Sequence, residues 1–280
     1  MPDPLRILVP VDGSAESESI LPAILPVVRS RPSEVTLLRV VSDVEDANIA
    51  RGALHRLARA LLMDGIRAVS RLEWGRADDE IEYLARPARH DFLAMTTHGR
   101  AGLRRAFLGS TAETVLRRAK IPIILNRPGS RVGDWSRVVL AVDGTTPVDD
   151  LLHDLEPLAL ALRSTVHVLH VNRPLYLYSD LHRLPAALPE PDPRPYLDTL
   201  CDQLSTRGIL AVPATITDHP AAGITRYLLE NNAGLLAMTT HGRDGVARAF
   251  SGSVTEDVIR QSPVPVLVHR VEESPVAATA

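Results

Sequence analysis

Two kinds of hydrophobic run alternate along this chain. Short, unbroken, β-branched stretches such as 5–12 (Leu-Arg-Ile-Leu-Val-Pro-Val-Asp) and 35–41 (Val-Thr-Leu-Leu-Arg-Val-Val) suit strands buried on both faces of a parallel sheet. Between them lie amphipathic stretches. In 46–63, for example, Ile49, Ala53, Leu57, Ala60 and Leu61 recur near a helical period. The alternation predicts strands at 5–12, 35–41, 67–73, 91–95 and 121–126, with helices at 16–30, 46–63, 77–86 and 110–120. A second series follows, with strands at 137–145, 165–171, 210–217, 234–238 and 264–269 and helices at 147–163, 196–206, 220–231 and 253–261. Pro22, Pro26 and Pro157 fall inside predicted helices and leave their form open.

The two series are copies of one unit. Asp12 matches Asp143 and Val40 matches Val171. The second copy carries an insertion at 174–195 with six prolines, which predicts a long surface loop rather than a helix. Each copy reads β-α-β-α-β-α-β-α-β. That order predicts an α/β fold, two tandem open five-stranded parallel sheets of Rossmann-like type with helices on both faces. The expected domains are 1–127 and 136–271, joined by a short linker.

One stretch is repeated with unusual fidelity. Residues 97–110 read Thr-His-Gly-Arg-Ala-Gly-Leu-Arg-Arg-Ala-Phe-Leu-Gly-Ser, and 240–253 read Thr-His-Gly-Arg-Asp-Gly-Val-Ala-Arg-Ala-Phe-Ser-Gly-Ser. Elsewhere the copies have drifted: Trp74-Gly-Arg-Ala faces Thr217-Asp-His-Pro. Each glycine stretch links a strand to the start of a helix, where free N–H groups and the helix dipole attract anions. Ligands of such sheets bind outside the carboxyl ends of the strands, at the point where strand order reverses. A competing reading needs no ligand. Ser110-Thr-Ala-Glu113 and Ser253-Val-Thr-Glu256 both fit a capping box, with serine as the cap.

Composition narrows the chemistry. Lys120 is the sole lysine, and the other basic residues are arginine, so a Gly-Lys-Ser/Thr phosphate loop is absent. Any phosphate would be held by backbone N–H groups, hydroxyls and arginines. A net charge of −3 and 4% aromatic residues argue against a nucleic-acid binder. No apolar run approaches the ~18 residues of a membrane span, and the chain enters its first strand without a leader-like stretch. With a single cysteine, Cys201, no intrachain disulfide framework is expected, and the expected location is the cytoplasm. No catalytic residue or metal site is assigned: His98 and His241 lack a nucleophile nearby, and His167 and His170 point to opposite faces of one strand.

The loops and their setting resemble the universal stress protein family in its tandem form. Its nucleotide-binding members carry Gly-x-x-Gly, nine residues, then Gly-Ser/Thr after the fourth strand. Gly99 with Gly109-Ser110, and Gly242 with Gly252-Ser253, match the second part of that pattern; Thr96 and Thr239 stand in place of its first glycine. The resemblance covers nearly the whole chain. It implies an adenine nucleotide alpha hydrolase-like fold and a stress-response regulator that binds ATP, with or without Mg2+, at two sites with little or no turnover.

The site residues implied in the first copy are Pro10, Val11, Asp12 and Val40 at the base and ribose, and Thr96, Gly99, Arg100, Gly109, Ser110 and Thr111 toward the phosphates. In the second they are Ala141, Val142, Asp143 and Val171, then Thr239, Gly242, Arg243, Gly252, Ser253 and Val254. The resemblance also implies that the fifth strands of the two copies pair, making an intramolecular pseudo-dimer, with a further homodimer open. The alternative function is a nucleotide-free dimerisation or adaptor module that captures a protein partner.

Overall fold

A computed structural model of the chain describes residues 3–97, 108–173, 191–241 and 254–271. The first unit contains β1 (Leu5–Pro10), α1 (Ala15–Glu18), α2 (Ile20–Ser30), β2 (Ser33–Val41), α3 (Val44–Met63), β3 (Arg67–Trp74), α4 (Ala77–Leu84), β4 (Phe92–Thr96), α5 (Ser110–Arg118) and β5 (Ile123–Asn126). The second contains β6 (Arg137–Val142), α6 (Asp149–Leu162), β7 (Thr165–Asn172), α7 (Arg194–Thr206), β8 (Leu210–Thr217), α8 (Pro220–Glu230), β9 (Leu235–His241), α9 (Val254–Gln261) and β10 (Val266–Val271).

The strands form one sheet in the order β3-β2-β1-β4-β5-β10-β9-β6-β7-β8. Within each unit all pairings are parallel. The units meet where β5 and β10 run antiparallel, with Ile123 opposite Val268, Ile124 opposite Leu267 and Leu125 opposite Val266. Strand order reverses between β1 and β4, and again between β6 and β9.

Alternation along each strand feeds two apolar layers, one per face of the sheet. Ile7, Val9, Val35 and Leu37 join one layer with α2, α3, α6 and α7. Leu8, Leu38, Leu93 and Leu125 join the other with α4, α5, α8 and α9. Both layers run across the two units, and the strand interiors are near-continuous apolar runs because both faces are covered.

Some boundaries differ from the sequence reading. The predicted 16–30 helix is two helices, broken at Ser19, whose hydroxyl donates to the Glu16 carbonyl at 2.6 Å. Pro22 sits in the first turn of α2, where its missing N–H removes no helical bond, and α2 and α6 continue through Pro26 and Pro157. β9 extends to His241, paired along β10 as far as Val271, so Thr239 is a strand residue rather than the start of a loop. Of the 174–195 insertion, 174–190 lie outside the described residues, and α7 begins within it, at Arg194.

The segment between the units is anchored to the second one. Arg131 N–H donates to the Pro263 carbonyl (2.8 Å), the Ser164 hydroxyl to the Trp135 carbonyl (2.5 Å), and Trp135 is fully buried. Gly234 packs against this segment so closely that a Cβ there would fall 1.7 Å from the Asp134 carbonyl oxygen.

Candidate functional site

A crevice opens over the carboxyl ends of the strands in each unit, at the reversal of strand order. In the first, Pro10, Val11 and Asp12 leave β1, Leu38 and Val40 end β2, Met95 and Thr96 end β4, and Gly109, Ser110 and Thr111 open α5. These residues line one cavity of about 180 Å³, closed on its apolar side by Ala77 and Ile81 of α4. In the second, Ala141, Val142, Asp143, Val171, Thr239 and Val254 line a cavity of about 670 Å³. Thus the described residues of the predicted set are brought together, unit by unit. Gly99, Arg100, Gly242, Arg243, Gly252 and Ser253 lie outside the described residues.

The start of α5 corrects one expectation. Ser110 is not the cap of its helix but its first residue; Gly109 occupies the cap position with extended backbone (φ −60°, ψ 144°) and has no side chain to offer. Glu113, expected to reach back in a capping box, lies instead 3.5 Å from Arg117 one turn on. The capping register fails by one residue, and the first-turn N–H groups of α5 receive no side-chain cap from Gly109. The two feet of the glycine stretch are pinned together: Gly109 N–H donates to the Thr97 carbonyl at 2.8 Å, and Thr97 N–H to the Asn126 carbonyl at 3.0 Å. Thr96 is buried at 6% exposure, and neither it nor Thr239 takes a positive φ, so threonine imposes no backbone strain in place of glycine. What it adds is side-chain bulk and a hydroxyl.

The two aspartates organise the loops that follow β1 and β6. Asp12 Oδ1 accepts from the Ser14 N–H (2.9 Å) and hydroxyl (2.5 Å), while Asp12 N–H donates to Ser17 Oγ at 3.1 Å. Asp143 Oδ1 accepts from the N–H groups of Thr145 and Thr146, both at 2.8 Å, and Oδ2 from the Thr146 hydroxyl at 2.7 Å. Burial opposes the Asp143 charge, but the Thr146 and Thr145 bonds outweigh it and hold the carboxyl below its ordinary value. Sequence reasoning assigned these carboxylates to ligand; it did not show that the neighbouring hydroxyl residues engage them. The Asp-Gly-Ser and Asp-Gly-Thr-Thr spacing, which favours a side-chain-locked turn, carried that signal.

The second cavity also has a wall that the sequence reading missed. His170, Arg173, Pro191, Pro193 and Tyr196 line it, bringing together the end of β7 and the start of α7. Burial, then the negative charges of Asp143 and Asp149, push the Tyr196 phenol above its ordinary value. Pro220, Ile224 and Met238 supply the apolar side opposite. At α9, Val254 and Thr255 present the first helical turn to the cavity. An apolar slot beside a helix start suits a ligand with a flat apolar part and an anionic tail. At about 670 Å³ the second cavity falls in the ~300–1,000 Å³ range of small-molecule sites, and the first, at about 180 Å³, falls below it.

A tandem doubly wound α/β protein, with one crevice per unit at the switch point of its sheet, is the class that this fold and these sites define. The profile of the Universal stress protein family matches residues 5–127 and 135–270. The chain belongs to that family. A universal stress protein of Methanocaldococcus jannaschii is 26% identical over 137 residues, covering 43% of this chain and 80% of that protein. One from Synechocystis is 24% identical over 163 residues, covering 58% of this chain and about half, 52%, of the relative's own length. The crystal structure of a universal stress protein from Archaeoglobus fulgidus superposes with a TM-score of 0.74 at 23% identity, covering 95% of this chain and 96% of that one, a likeness of fold. Among the described residues, no helix is long and apolar enough to cross a membrane.

Proposed function

We propose that this protein is a cytoplasmic stress-response regulator that binds an adenine nucleotide, ATP with or without Mg2+, in the crevice of its second unit, and binds it without significant turnover. The observation that carries the reading is the cavity of about 670 Å³ at the reversal of strand order between β6 and β9, lined by Ala141, Val142, Asp143, Val171, Thr239 and Val254. Val171, Ile224 and Met238 would flank the base, and the first turn of α9 would meet the phosphates with its N–H groups. What the bound nucleotide supplies is occupancy, a signal of cellular adenylate state passed on through the protein.

The first unit has the same frame around a much smaller space, about 180 Å³. In this reading it serves chiefly as the pairing half of an intramolecular pseudo-dimer built on the β5–β10 seam, with 1–127 and 136–271 as the two domains. Calorimetric titration with ATP tests the function. One molar equivalent should bind, with saturation at or below millimolar nucleotide. Absence of heat and of competition up to millimolar ATP would leave the adaptor reading, a module that captures a protein partner without nucleotide.

A further inference from the structure

Matched positions on the second strand of each unit carry different side chains. Arg39 precedes Val40, and His170 precedes Val171. Arg39 is 9% exposed and is not part of the first cavity's lining, whereas His170 lines the second. One end of the His170 ring is fixed, since Nδ1 lies 3.1 Å from the Val142 carbonyl oxygen. A carbonyl only accepts, so Nδ1 is the donor, and in the tautomer that this bond selects Nε2 is the acceptor. Nε2 has no hydrogen-bond partner among the described residues. The ring lies over the tight loop that Asp143 holds: a Cβ on Gly144, whose φ is +79°, would meet His170 Cε1 at 3.9 Å.

The neighbouring acceptor is largely committed. Asp143 already receives three hydrogen bonds from Thr145 and Thr146, of the roughly four a carboxylate accepts. His170 stands on β7, and α9 starts beyond β9, with β6 between them. Two strand spacings, roughly 10 Å, separate an anionic tail on α9 from this ring. The ring therefore belongs with the nucleoside end of a ligand whose phosphates sit on α9.

Resting on the nucleotide reading above, we propose that His170 is a specificity-determining residue of the second site: Nε2 accepts a hydrogen bond from the nucleoside end of the bound nucleotide. The donor is a ribose hydroxyl or the exocyclic amine of the base. Arg39, which carries donors only, gives the first unit no equivalent reader.

The test is calorimetric titration of the full-length protein with ATP, 2′-deoxy-ATP, 3′-deoxy-ATP and ITP, whose base has a carbonyl in place of the amine. Wild type should bind the analogue lacking the donor about fivefold more weakly than ATP, the size of one net hydrogen bond. His170→Phe should bind all four alike, and His170→Gln, which keeps a distal acceptor, should restore part of the preference. The analogue that loses affinity identifies the donor. Equal wild-type affinity for all four overturns the proposal while leaving nucleotide binding intact. So does a His170→Phe protein that weakens every nucleotide equally yet keeps the preference, because that is a packing effect. A wild-type protein that binds none of the four overturns the nucleotide reading and this proposal with it.

Discussion

At the scale of single residues, matched positions show how one fold accommodates different chemistry. Asn126 ends β5 and its side-chain amide donates to the Ser19 carbonyl at 3.3 Å, tying the seam strand to the helices after β1. Its counterpart on β10 is His269, whose Nδ1 lies 2.6 Å from Asp154 Oδ2 on α6, with Asp150 3.7 Å from Nε2. The tie is kept, but it has become titratable. Burial opposes the His269 charge, while the Asp154 hydrogen bond and charge and then Asp150 outweigh it, so the folded pKa is raised above 6.5. A raised folded pKa means stability that is present in full below pH 6.5 and lost as pH rises through the folded value. His269→Asn, the residue of the first unit, should therefore be less stable than wild type below pH 6.5, with the difference closing in alkali. Urea unfolding of both proteins from pH 6 to pH 9 measures it; a difference independent of pH would refute the ion pair. His90 and His167 act in the opposite sense. Burial lowers both, so acidification below 6.5 protonates the unfolded chain first and destabilises the fold. The His269→Asn comparison cancels that common background.

At the scale of elements, the helix starts separate structural caps from the candidate site. Ser14 Oγ accepts from Ser17 N–H at 3.1 Å at the head of α1, and Asp43 Oδ1 from Asp46 N–H at 2.8 Å at the head of α3. Ser14→Ala and Asp43→Ala should each cost about 1 kcal/mol in chemical denaturation, and Ser110→Ala only a few tenths, since Ser110 lies inside its helix rather than at the cap. An equal loss at Ser110 would restore the capping-box reading. Period and run length made the element order legible in the sequence, because β-branched strands buried on both faces and amphipathic helices leave different hydrophobic patterns. The crevice residues were legible as well, since a parallel sheet places Asp12, Val40, Thr96 and Gly109 at the same end of their strands and loops. The one-residue register of α5 was not: Gly-Ser before an apolar face offers two adjacent cap positions, and backbone geometry selects between them. The wall made by His170, Arg173 and Tyr196 was equally hidden, because most of the 174–195 insertion lies between β7 and α7 in sequence and the fold brings their ends together.

At the scale of the molecule, the ten-stranded sheet makes the two units parts of one apolar framework while leaving their crevices unequal. The segment between the units is fixed by contact with the second one. Gly234→Ala forces a methyl group against the Asp134 carbonyl oxygen, 1.7 Å away before relaxation, and should cost about 1–3 kcal/mol or more in thermal or urea unfolding. An unchanged midpoint would show that the segment is loosely held. The proposed function requires nucleotide to bind at the head of α9 rather than at the head of α5. Val254 and Thr111 hold matched positions in the first turns of these helices, and each lines its own cavity. A glutamate at either position favours the helix dipole, yet places a negative charge where phosphates would sit. Titration of ATP into Val254→Glu and Thr111→Glu, with folding verified by circular dichroism, distinguishes the two helix starts. Val254→Glu should weaken ATP binding at least tenfold while Thr111→Glu retains wild-type affinity and stoichiometry; unimpaired binding by Val254→Glu would contradict a nucleotide site at the head of α9.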